Sequence, residues 1–110
     1  MTIPAITDAT FQAEVLEAAT PVLLKLWAPW CGPCRAMSPV VDEIAAEYAG
    51  EIAVRAVEVD GNPGIAERLA MRSIPLLVLF RDGREVGRAA GLQSKTRICA
   101  FLDGHLDPAG

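Results

Sequence analysis

The spacing of apolar residues changes along the chain between strand-like runs and the three- and four-residue rhythm of helices, and each change of period marks an element. A short extended start is expected near Ile3 to Ile6. Thr7 or Asp8 then suits the cap of a helix that carries Phe11, Val15, Ala18 and Ala19 on one face. Val22 to Trp27 reads as a strand whose nearly unbroken apolar character fits a central position covered on both faces. Lys25 interrupts that run, and a charge there is costly unless satisfied. A long helix is predicted from Gly32 to Tyr48, with Met37, Val40, Val41, Ile44, Ala45 and Tyr48 on its inner face. Pro39 lies inside it, lacks an amide donor and crowds the carbonyl of Arg35, so a kink is expected there.

Ile52 to Val59 is next, as a further strand. Asn62-Pro63 joins a capping residue to a proline suited to the first helical position, which predicts a short helix through Ala70, and Ser73-Ile74-Pro75 ends that connection. Leu76 to Phe80 and Glu85 to Ala90 flank Asp82-Gly83, a dipeptide that closes hairpins, so these strands are expected to be antiparallel neighbours. Ser94 is placed to cap a last helix with Ile98, Phe101, Leu102 and Leu106 inside, and the tail Asp107 to Gly110 is expected to fray. The order is βαβαβαββα. It implies an α/β fold, a central mixed sheet of about five strands flanked by about four helices.

Length adds that 110 residues make a single domain, residues 1 to 110. With 52% hydrophobic and 22% charged residues the composition is that of a compact chain, and no apolar stretch reaches the roughly 18 to 20 residues of a membrane span. The start, MTIPAITDATFQ, has neither the basic residues nor the apolar segment of a secretory signal, so cytoplasmic residence is expected. A net charge of −4 without a Lys/Arg cluster gives no footprint for nucleic acid or an anionic membrane, and a monomer is expected.

The chemistry lies in the cysteines. Of three, two form Cys31-Gly32-Pro33-Cys34 at a loop-to-helix junction, where positions three apart share a helical side and can reach disulfide distance. Pro33 costs no helical hydrogen bond in the first turn, and Gly32 lets the backbone bend and leaves the sulfur approachable. The free amides and positive end of the helix dipole favour a thiolate at Cys31, the attacking species in disulfide exchange. Cys34, one turn deeper, would resolve the mixed disulfide by attacking Cys31. The rival reading is half a zinc or iron-sulfur ligand set. Its other half is missing, because Cys99 and the sole histidine, His105, offer no second close pair. Cys99 reads as an ordinary boundary thiol, His105 as a solvated residue near a helix end, Trp27 as core and Trp30 as contact surface.

WAPWCGPC, with Ile74-Pro75 about forty residues on, Gly91 near the end, Pro39, and Asp60-Gly61-Asn62-Pro63, resembles the thioredoxin family across nearly the whole chain. The resemblance implies the thioredoxin fold, a cis peptide bond before Pro75, and an apolar docking surface made of Trp30, Gly32, Pro33, Ile74 and Gly91. It implies reduction of disulfide-containing substrate proteins, no bound cofactor, and electrons drawn from NADPH through a flavoprotein thioredoxin reductase. Two departures stand out. Where the family usually has a buried aspartate six residues before the first cysteine, this chain has Lys25, and where a buried lysine is common it has Ala56. A protonated Lys25 would favour the thiolates and make the dithiol more oxidising, whereas a neutral one would serve as a base. Alternatively Glu58 pairs with it, or it reaches solvent along its stem. Leu76 and Leu92 replace smaller residues and are expected to alter the docking surface. Two rival functions remain at this point, a redox-independent scaffold and a secreted oxidase or isomerase.

Overall fold

The computed structural model describes residues 3–106, so the tail Asp107 to Gly110 lies outside the described residues. The elements are β1 (Val22–Trp27), α1 (Gly32–Glu47), β2 (Ala53–Glu58), α2 (Pro63–Arg68), β3 (Leu76–Arg81), β4 (Arg84–Ala90) and α3 (Lys95–Leu106). The strands form one mixed sheet in the order β2-β1-β3-β4. β1 runs parallel to β2, as a crossover through α1 requires, and antiparallel to β3. The β3–β4 hairpin turns on Asp82 and Gly83 at φ 54° and 78°, the left-handed pair that a tight two-residue turn needs.

β1 and β3 are the central strands, and Val22 to Leu26 and Leu76 to Phe80 are all buried. Their alternate residues feed two cores. Leu23, Leu77 and Leu79 pack with Met37, Val41 and Ile44 of α1 and Ile98 and Leu102 of α3. Leu24, Leu26, Val78 and Phe80 pack on the other side with Phe11, Val15 and Ile65. Burial of this kind stabilises by about 25 cal/mol per Å² of apolar surface removed from water. α1 continues through Pro39, and Ser94 caps α3 by accepting the Arg97 amide at 3.2 Å.

The N-terminal third departs from expectation. Ile3 to Ile6 contributes one bridge, Ala5 to Ala56, rather than a fifth strand. Its bonds run from the Ile6 amide to the Ala56 carbonyl and from the Ala56 amide to the Pro4 carbonyl, both 2.9 Å, and Pro4 has no amide with which to extend the ladder. The expected first helix is a short π-helical turn, Gln12–Leu16, without a side-chain cap. Asp8 caps α2 instead, accepting the amides of Gly64 at 3.0 Å and Ile65 at 2.8 Å. Asn62, the expected cap, accepts the Asp8 amide at 3.0 Å and donates to the Glu58 carbonyl at 2.9 Å. The two residues thus exchange partners across the fold. α2 stops at Arg68 because Ala70 turns to φ 52°, a left-handed conformation that ends a helix.

Candidate active site

Cys31 is the N-cap of α1, in extended conformation at φ −89° and ψ 104°, and its Sγ accepts the Cys34 amide at 3.2 Å. Pro33 lies in the first helical turn, and nothing stands within 4 Å of the space a side chain on Gly32 would enter. The cysteines are joined in a disulfide with Cα atoms 5.3 Å apart, within the ordinary span of such bonds. Their sulfurs close one end of the apolar core, Cys31 at 4% exposure and Cys34 at 1%.

Around the pair, Trp30 is 67% exposed and its indole donates to Asp60 Oδ2 at 2.8 Å, which orients the ring. The Ile74–Pro75 peptide is cis, as the resemblance implied, and the Pro75 carbonyl accepts the Gly91 amide at 2.9 Å. Gly91 has φ 84°, which a side chain would strain. Trp30, Asp60, Met71, Arg72 and Ile74 line an open groove of about 480 Å³. Leu92 is exposed, whereas Leu76 is a core residue at 3% exposure.

Lys25 is buried at 7% exposure, so it does not reach solvent along its stem. It lies in register with Ala56 on β2 and Leu77 on β3, on the face covered by α1. Nζ donates to Ser38 Oγ at 2.6 Å, and Ser38 Oγ donates to the Cys34 carbonyl at 3.3 Å. Nζ also lies 5.8 Å from the centre of the Trp27 ring. Burial lowers the Lys25 pKa, and the charge of Asp42 works in the opposite direction. The expected partner, Glu58, shares the face but its carboxylate accepts the Asp60 amide at 2.6 Å, so the pairing with Lys25 is not made. Ser38 and Asp42 went unnoticed in the sequence, although with Cys34 they recur every four residues and therefore share one face of α1.

Cys99 and His105 do not join this site. Cys99 is half-buried beside Tyr48, whose hydroxyl donates to Asp103 at 2.8 Å, and burial with Asp103 and Cys99 pushes the Tyr48 pKa up. His105 packs edge-on against Phe101 with ring centres 4.9 Å apart. Among the described residues no group of three or more His, Cys, Asp or Glu side chains is placed to hold a metal ion.

The family model for thioredoxin matches residues 2–104. The chain belongs to the thioredoxin family. It is 51% identical over 102 residues to Thioredoxin 1 of Synechococcus elongatus, covering 93% of this chain and 95% of that one. Identity is 48% to Thioredoxin 1 of Nostoc sp., over 92% and 94% of the two chains, and 42% to the thioredoxin of Pseudomonas aeruginosa, again over 92% and 94%. Membership gives the redox-active pair its chemistry: the protein is a thiol-disulfide oxidoreductase that reduces protein disulfides. Thioredoxins do this without a bound cofactor, and no helix among the described residues is long and apolar enough to cross a membrane.

Proposed function

We propose that Cys31 attacks and Cys34 resolves. The Cys31 thiolate forms a bond to one sulfur of a substrate disulfide, and the other sulfur leaves as a thiolate that takes up a proton. Cys34, deprotonated, then attacks Cys31 Sγ. The Cys31–Cys34 bond closes, the bond to substrate breaks, and the second substrate sulfur departs with the electron pair and is protonated. Thioredoxin reductase, fed by NADPH, returns two electrons to the pair. The observation that carries the assignment is the Cys34 amide aimed at Cys31 Sγ at 3.2 Å, a donor that favours the anionic sulfur at a helix N-terminus. Trp30, Gly32, Pro33, Ile74 and Gly91 form the docking surface, Pro75 supports it, and the groove beside Trp30 supports this reading. The chain works as a single monomeric domain in the cytoplasm, on disulfide-containing proteins rather than nucleic acid or membranes.

Cys34→Ser should accumulate a Cys31–substrate mixed disulfide, and Cys31→Ser should form none; mass spectrometry after mixing with a disulfide protein reads both. Trapping through Cys34 alone would reverse the roles. A second reading, a more oxidising couple, is favoured by the buried Lys25 on the Cys34 side of the site.

A further inference from the structure

We propose that Ser38 is a positioning residue for the resolving step, its hydroxyl anchoring the Lys25 ammonium beneath the Cys34 turn of α1 so that the Cys34 thiol loses its proton more readily. The inference rests on the assignment of Cys34 as resolver. The donor order follows from the charge on the amine. An ammonium can only donate, so the 2.6 Å contact has Nζ as donor and leaves the single hydroxyl proton of Ser38 for the Cys34 carbonyl at 3.3 Å. A flexible lysine stem is held at its tip by a group that itself touches the backbone of Cys34.

Burial disfavours the charged amine, and one neighbouring charge opposes that effect. Asp42, one helical turn beyond Ser38, has a buried Oδ1 without a hydrogen-bond partner and is the charge that acts on Lys25. From β2 the ionisable group on this face is Glu58, occupied by the Asp60 amide, while β3 presents Leu77. Burial acts against the ammonium and lowers its pKa, so a fixed anchor and a nearby carboxylate are what keep the charge in place.

In the mixed disulfide, Cys34 releases its proton to solvent, its thiolate bonds to Cys31 Sγ, and the substrate sulfur leaves with the electron pair and is protonated from solvent. A fixed positive charge lowers the cost of the first event, and its anchor on the Cys34 turn makes it act more on Cys34 than on the earlier attack by Cys31. Stopped-flow mixing of the reduced protein with a symmetric aromatic disulfide whose thiolate is coloured separates the two steps, since the first equivalent of colour reports attack and the second reports resolution. Ser38→Ala should slow the second phase at pH 7 by about three- to tenfold and move the midpoint of its pH profile upward, with a smaller effect on the first phase. Ser38→Thr, which keeps the hydroxyl, should restore the profile. If Ser38→Ala does not fold, Lys25→Met should produce the same upward shift. A second phase in Ser38→Ala, or in Lys25→Met where Ser38→Ala cannot be used, with the wild-type pH profile overturns the proposal. Release of only one equivalent of colour by the wild type would instead overturn the assignment of Cys34 as resolver.

Discussion

Lys25 concentrates the unusual physics of this chain at one side chain. Its apolar neighbours on β1 were visible in the sequence, and so was the cost of placing a charge among them. Its partners were not, because Ser38 lies on another element and is brought to Nζ only when α1 packs on the sheet. The lowered pKa has a consequence for stability. Unfolded, Lys25 keeps its proton up to its ordinary value of 10.5, whereas in the fold it loses it earlier. Between those two values the unfolded chain binds more protons than the native one, so stability rises with pH in that window. Below it, the penalty for the buried ammonium is present in full. Urea unfolding of the oxidised protein as the pH is raised toward 10.5 should show this rise for the wild type and lose it in Lys25→Met. Comparing the two proteins cancels the opposite contribution of Tyr48, whose raised pKa makes the fold less favourable as the unfolded tyrosine ionises above 10.0. Parallel curves would mean that Lys25 titrates alike in both states.

Local chemistry sets the elements, and long-range contacts adjust their ends. The hairpin at Asp82-Gly83, the cap at Ser94 and the long inner face of α1 appear where the pattern put them. These depend on residues close in sequence. The caps at Asp8 and Asn62 were misassigned because either residue can satisfy a helix terminus, and only the approach of the N-terminal segment to α2 decides which does. Asp8→Ala should therefore destabilise the protein by about 1 kcal/mol through α2, some 55 residues away in sequence. Chemical denaturation reads the loss, and hydrogen exchange should place it at Gly64 and Ile65. Faster exchange confined to residues 12 to 16 would instead make Asp8 a local cap. The missing fifth strand has the same origin: Pro4 halts a ladder that apolar residues alone would have continued.

At the scale of the whole molecule, the reduction potential sums the environments of both sulfurs. Cys31 gains from the end of α1, and Cys34 gains from the ammonium held by Ser38. Both stabilise the reduced, ionised form and make the couple more oxidising, by about 30 mV for each tenfold change in the exchange equilibrium. Lys25→Met should thus give a more negative potential than the wild type in a glutathione or dithiothreitol buffer, followed by Trp27 and Trp30 fluorescence. An unchanged potential would show that the buried amine carries no charge at working pH. By itself the sequence determined the alternation of strands and helices and the placing of a cysteine pair at a helix start, because period, caps and loop residues act between near neighbours. Tertiary structure alone decided that Gly91 meets Pro75, that Asp8 serves α2, and that Lys25 turns to Ser38 rather than Glu58 or water. Those outcomes depend on which polar groups are left facing one another once the apolar faces of the sheet have been covered.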